Sequence, residues 1–252
     1  MTKFFRFLQS DALKIKRQPI LLIHLLVPLV GMTLFLGYYS FSPQAPISKV
    51  GGFLQVLAVT FPTLIGIVCS MTEEQESLAG NFQQMLTASV KLFPFFSKLL
   101  LLLLLGFGAV LLSIGGFGSG FLYILHGSPY DFGFYLFAAC ILFGSNIFLY
   151  ILHFIVSLRF GNSMSIGIGI VESLLSALLL TGLGNGIWQF IPCAWAARFI
   201  TIFTQYMTGT GSLSMSILEL HSGIWFCLGE TMSIIIFAYM WFLHWEGRKS
   251  EE

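Results

Sequence analysis

The sequence predicts an all-α, polytopic membrane protein with six transmembrane helices, and three observations carry that reading. Hydrophobic residues make up 56% of the 252. Charged residues make up only 9%, against about 25% in soluble domains. The apolar residues gather into runs of about 20, the length that crosses a bilayer, separated by polar breaks. A formal net charge of +1, with acids and bases scattered along the chain, leaves no basic surface for nucleic acid. Cys69, Cys140, Cys193 and Cys227 stand far apart in apolar surroundings and match no disulfide framework or zinc spacing, so they read as packing residues.

The first element is residues 1–18. Phe4, Phe5, Leu8, Ala12 and Ile15 share one helical face, and Lys3, Arg6, Ser10, Lys14 and Arg17 share the opposite one. Such a basic amphipathic helix lies on the inner leaflet, either as a topology anchor or as a lever joining a cytoplasmic partner to the first span. A single domain over 19–252 follows, with spans expected at 19–39, 52–71, 99–125, 132–158, 163–183 and 222–244. No small-residue cleavage site follows the first apolar run, so that helix is expected to stay in the mature protein. Six spans put both ends on one side, and ten of the twelve Lys and Arg residues fall on that side, so both termini are expected in the cytoplasm. Tyr38, Tyr39, Tyr130, Trp188, Trp195, Trp225, Trp241 and Trp245 stand where spans meet headgroups and read as interfacial anchors. Gly116 with Gly120, and Gly182 with Gly186, are spaced to let helices approach closely.

Between spans two and three lies the cytoplasmic loop 72–98. Thr72 is placed to cap a helix whose first turn carries Glu73, Glu74 and Gln75, with Glu76 next. Leu78, Phe82, Met85 and Leu86 then make an apolar stripe, which suits either docking to a partner or lying back on the spans. The outer loop 184–221 is too apolar to be a simple connection. Pro192 is placed to start a helix carrying Trp195, Arg198, Phe199, Ile202 and Tyr206, preceded by Trp188; this segment lies on the outer surface or re-enters the membrane. Residues 208–216, rich in Gly, Thr and Ser, read as exposed loop.

Ionisable side chains inside spans are expensive in lipid and mark either a hydrogen-bonded core or a translocation path. His24, His153, Glu172 and Glu230 are the instances, and Ser145 and Asn146 stand at a depth where they are expected to meet Glu172. Catalytic signatures are missing. The Gly-rich run at 115–120 has no preceding strand and no Lys-Ser/Thr after it, so it cannot hold ATP. No zinc-protease helix or serine elbow occurs, and Glu73-Glu74 lacks the arginine that a paired-glutamate intramembrane protease would require, with Leu78 and Ala79 in its place.

With these segments placed, the chain resembles permease subunits of the ABC-2 type, specifically the lantibiotic immunity permeases that accompany nisin-, epidermin- and mutacin-type clusters. The resemblance covers nearly the whole chain. It rests on the basic N-terminal helix, on the Glu-Glu-Gln-Glu-Ser-Leu-Ala-Gly-Asn-Phe-Gln-Gln-Met-Leu loop at 73–86, and on Ile-Pro-Cys-Ala-Trp at 191–195, where Cys193 stands in place of a tryptophan that relatives often carry. It implies a second permease subunit and an ABC ATPase dimer in the cytoplasm, with ATP and Mg bound by the ATPase and no cofactor on this chain. It makes Glu73, Glu74, Glu76, Leu78, Phe82, Met85 and Leu86 the ATPase-coupling helix, and Lys3, Arg6, Lys14 and Arg17 part of a connecting helix. The implied function is expulsion of a lantibiotic from the plasma membrane of a Gram-positive bacterium. Two other readings stay open: an ABC-2 exporter of another drug, lipid or peptide, and a non-transporting immunity protein that binds peptide at the outer surface through Trp188, Trp195 and 208–216.

Overall fold

The computed structural model describes residues 3–16, 18–209 and 213–248, with side chains undescribed at 213–217. Among these residues every regular element is helical. The α-helices are α1 Lys3–Ile15, α2 Ile20–Phe41, α3 Pro46–Leu78, α4 Gln83–Leu86, α5 Leu92–Ser119, α6 Phe132–Ser145, α7 Ile147–Phe160, α8 Asn162–Leu179, α9 Pro192–Thr208 and α10 Leu213–His244. Six segments are long and apolar enough to cross a membrane: Ile20–Phe41, Pro46–Leu78, Leu92–Ile124, Phe132–Phe160, Asn162–Leu179 and Leu218–His244. Their outer faces stay bare: Leu22, Val30 and Leu34 on α2, Leu174 on α8, and Met232 and Ile236 on α10 are all exposed. A belt of this kind is stable only against lipid.

Several boundaries differ from the sequence expectation. Thr72 does not cap a new helix: α3 continues to Leu78, and the Thr72 hydroxyl donates to the Val68 carbonyl at 3.0 Å. Glu and Gln are good helix formers, so nothing breaks α3 until Gly80, Asn81 and Phe82, all at positive φ. The fourth span is not one straight helix. It is interrupted at Asn146, where the side-chain amide donates to the Leu142 carbonyl at 2.7 Å. Gly161, at φ 89°, then turns the chain directly into α8. The expected loop at 208–216 is shorter, because α9 runs to Thr208 and α10 begins at Leu213; residues 210–212 lie outside the described residues.

Close packing is set by glycine, though only partly at the expected pairs. Gly116 and Gly120 do admit a neighbour, since a Cβ there would meet Met32 and Leu36 of α2. Gly182 and Gly186 have nothing within 4 Å, and Gly186 is a turn residue at φ 78°. The contact made against backbone is α3 on α8. A Cβ on Gly66 would lie 2.7 Å from the Ser165 carbonyl, and one on Gly169 would lie 2.8 Å from the Pro62 carbonyl. The contact is also hydrogen-bonded, with Thr63 Oγ1 donating to the Gly169 carbonyl at 3.1 Å and lying 2.7 Å from Ser173 Oγ.

Helix α9 starts at Pro192 as the sequence predicts. Trp195 near its start packs on Phe148 near the start of α7, while Phe203 stacks on Phe134 at the start of α6. It therefore runs antiparallel to α6 and α7, from the middle of the bundle to its far end. Both described ends of the chain meet at the opposite end: Phe4 packs on Phe93, and Arg248 lies 3.2 Å from Glu73.

Gly66→Ala should destabilise the protein by about 1–3 kcal/mol, because the backbone carbonyl it meets cannot swing aside. Gly167→Ala, with nothing within 4 Å of its Cβ position, should leave stability unchanged. Thermal unfolding in detergent distinguishes the two variants.

Candidate functional site

The end of the bundle where both described ends of the chain meet also holds a dense charge cluster. α1 lies across the start of α5 with Asp11 and Ile15 buried and Phe4 and Leu8 half-buried; Phe5 and Ala12, expected on that face, are exposed. Asp11 is buried and accepts from Lys98 Nζ at 2.8 Å and from Ser97 Oγ at 2.6 Å. The same Lys98 ammonium donates to Glu76 Oε1 at 2.8 Å. Lys14 donates to Glu76 at 3.0 Å, and bonds Gln84 as well. Two carboxylates and two ammonium groups thus join α1, the end of α3, α4 and the start of α5. Burying charge costs several kcal/mol per ion, so the cluster holds only because each member is paired.

Beside it stands a second ion pair. Glu73 is buried, with Arg248 Nη1 at 3.2 Å from its Oε1 and without hydrogen-bond alignment, so Oε1 accepts no hydrogen bond. With its amide nitrogen turned inward, Asn162 donates to the Ser70 carbonyl at 3.0 Å and to Glu73 Oε2. The segment after Leu78 folds back: Phe82 and Met85 are buried, Phe82 edge-on to Trp245 at 5.3 Å, and Lys91 Nζ donates to the Leu243 carbonyl at 2.9 Å.

These facts redistribute the residues of the expected coupling helix. Glu73, Glu76, Phe82 and Met85 do not present themselves to a partner, because ion pairing and apolar burial turn them into the bundle. Leu86 is half-buried. Glu74 and Leu78 face outward, with Leu78 81% exposed. They share a cleft of about 1190 Å³ with Leu13, Lys14, Lys16 and Gln75. Leu13 is itself 69% exposed. In α1, Lys3 and Arg6 are exposed, Lys14 is drawn into the cluster, and Arg17 lies outside the described residues.

Inside the bundle Glu172 meets His153, and not Ser145 and Asn146 as expected. His153 Nε2 lies 2.8 Å from Glu172 Oε2, and Nδ1 lies 3.0 Å from Ser165 Oγ, which donates to the Gly66 carbonyl at 3.2 Å. Since Ser165 donates onward, Nδ1–H is the donor to Ser165, and one proton lies between Nε2 and Glu172. The chain of bonds ties α3, α7 and α8 at the same place where Gly66 brings them into contact. Asn146 is buried with Oδ1 unpartnered, Ser145 Oγ donates to the Ile141 carbonyl at 2.8 Å, and Glu230 on α10 is partly exposed with no bonded partner among the described residues.

Around the start of α9 Trp188 and Trp195 are fully buried, so they are not interfacial anchors and have no face to offer a peptide. Trp195 Nε1 donates to the Gln189 carbonyl at 2.8 Å, and Trp188 Nε1 donates to Glu219 at 3.3 Å. Tyr39 and Trp245 are buried as well, whereas Tyr38 and Trp225 are exposed as an anchor requires. Arg198 Nε and Nη2 donate to the Leu179 and Thr181 carbonyls, each at 2.7 Å, and satisfy the open C-terminus of α8. Among the described residues no group of three His, Cys, Asp or Glu is placed to hold a metal ion.

Asp11 and Lys98 were not singled out from sequence as site residues, and His153 was named there without its partner. Asp11 carried a signal, because it stands three residues after Leu8 and four before Ile15, an acid on an otherwise apolar face. Lys98 and His153 carried none beyond being charged or polar in apolar context, since their partners are 87 and 19 residues away.

Residues 7–177 match the family described as ABC-2 family transporter protein. No curated protein and no solved structure matches the chain. The match covers more than half of the 252 residues, and the chain belongs to that family. It is accordingly the membrane-embedded component of an ABC transporter, and ATP hydrolysis resides in a separate ABC ATPase.

Lys98→Met should leave Asp11 and Glu76 buried and facing each other, at a cost of about 3–5 kcal/mol. The triple variant Asp11→Leu, Glu76→Leu, Lys98→Met should recover most of that loss, since apolar replacement of a whole buried charge set is near neutral. Thermal unfolding of the two proteins, with tryptic cleavage after Lys16 as a report on α1 release, checks both outcomes.

Proposed function

We propose that this chain is the permease subunit of an ABC-2 exporter that expels a lantibiotic peptide from the membrane to the outside and so gives immunity to its producer. The observation that carries the coupling half of this reading is the cleft between α1 and the end of α3. Leu13 and Leu78 stand bare beside Glu74 and Lys16, on a platform held by the Lys98 cluster. Apolar side chains this exposed, rimmed by charge, are what a protein partner covers. The partner is the ATPase dimer, and its closure moves α1, α3 and α5 together because buried charges lock them.

Glu73, Glu76, Phe82 and Met85 serve this reading as the support of the docking face, and Glu74, Leu78 and Leu13 as the face itself. Ten of the twelve basic residues flank the spans, in sequence, on the side of the N-terminal helix, which supports a cytoplasmic position for this end, and the Gram-positive host rests on the resemblance alone. A second permease subunit completes the membrane unit.

The peptide substrate rests on the resemblance of residues 73–86 and 191–195 to immunity permeases. A groove of about 460 Å³ in the half of the bundle away from the docking face supports it, since Cys140, Gly144, Phe199, Ile202, Tyr206 and Ile224 line it with apolar surface open to lipid. An amphipathic peptide leaving the bilayer finds matching chemistry there. Burial of Trp188 and Trp195 counts against the part of the non-transporting alternative that relied on indoles.

The double variant Glu74→Lys, Leu78→Asp should fold like wild type, lose the ATPase in co-purification by at least about tenfold, and lose protection against peptide. Retention of the ATPase by a folded double variant would refute the docking face. Protection that survives loss of the ATPase would refute export.

A further inference from the structure

We propose that the pocket between the ends of α7 and α10 binds the phosphate diester of a membrane phospholipid. The pocket, of about 770 Å³, is lined by Arg159, Trp241, His244, Trp245, Glu246 and Arg248, with Gly247 between the last two. Arg159 stands in the last turn of α7, exposed, with no carboxylate partner among the described residues; its guanidinium lies 6.0 Å from the ring of Phe160. Arg248 gives one Nη to Glu73, and its other donors have no partner among the described residues. His244 Nδ1 donates to the Met240 carbonyl at 2.9 Å, which leaves Nε2 as the ring nitrogen without a partner among the described residues.

Position selects the ligand. The lipid-facing surface ends here: Phe160, Met240 and Leu243 are exposed and apolar, and the charged lining begins within one turn of them. That is the level of the headgroups, where Trp241 suits the interface. A basic pocket between helix ends at this level is built for an anionic headgroup. Glu246, the one carboxylate in the lining, is exposed and weakens the pull on a free anion. A lipid is held in addition by its chains along Phe160, Met240 and Leu243, an advantage that dissolved phosphate lacks. The site is separate from the docking cleft, and the bound phosphate would sit beside the Arg248–Glu73 pair that ties the C-terminal segment to α3.

The full chain in detergent, given phosphatidylglycerol and observed by native mass spectrometry, should retain the lipid. Arg159→Ala should lower that retention about five-fold, the worth of one basic residue at a membrane surface. Arg159→Lys should keep most of it, because the charge stays, and Lys49→Ala at the opposite end should keep all of it. Arg159 makes no ion pair among the described residues, so the two Arg159 variants should unfold at the wild-type temperature. Equal retention by wild type and Arg159→Ala would overturn the site. Displacement of the lipid by millimolar inorganic phosphate, with the same dependence on Arg159, would overturn the lipid as its ligand.

Discussion

Lys98 is the point on which one end of the molecule depends. Its ammonium satisfies a carboxylate from α1 and another from α3 while standing in the first turns of α5, and all three groups are buried. Such a charge cannot be left alone in a medium of low dielectric, so α1 has no low-energy way to swing free while Asp11 stays ionised. An N-terminal helix that would otherwise be a loose amphipathic tail becomes part of the bundle. The exposed Leu13 on α1 and Leu78 on α3 are thereby held at a fixed separation, which is what a docking face has to offer.

The same logic appears deeper in the bundle in weaker form. Gly66 and Gly169 let α3 and α8 touch backbone to backbone, and the Glu172–His153–Ser165 chain of hydrogen bonds fills the polar space created by that contact. A polar network inside a span is costly unless complete, and this one ends on the Gly66 carbonyl. Rigidity therefore runs from the Lys98 cluster up α3 to the middle of the membrane. Helix α9, pinned to the end of α8 by Arg198, closes the far half.

The fold was legible in the sequence because its cause is compositional. Runs of about 20 apolar residues can only become spanning helices, and Pro192 fixes where α9 begins. The segment 72–98 was legible in its position after the second span but not in detail. Leu78, Phe82, Met85 and Leu86 follow helical spacing in the sequence, yet Gly80, Asn81 and Phe82 take positive φ and turn the chain, so the stripe never forms on one helix. Glu73 and Glu76 looked like surface acids because Lys98 and Arg248, the partners that bury them, are distant in the chain. Trp188 and Trp195 looked interfacial for a related reason: an indole beside a span end has the same local sequence whether it meets headgroups or another helix. Long-range pairing leaves no local trace, except where an Asp11 interrupts an apolar face.

The central claim is that α1 and the end of α3 form one rigid docking unit. Spin labels at Leu13→Cys and Leu78→Cys, in the full transporter with its ATPase, measure it directly through their distance distribution with and without ATP. A single narrow distance, unchanged through the nucleotide cycle, is the expected result. A broad distribution, or one that shifts on ATP binding, would show that the Lys98 cluster does not hold the two helices together and would contradict the account.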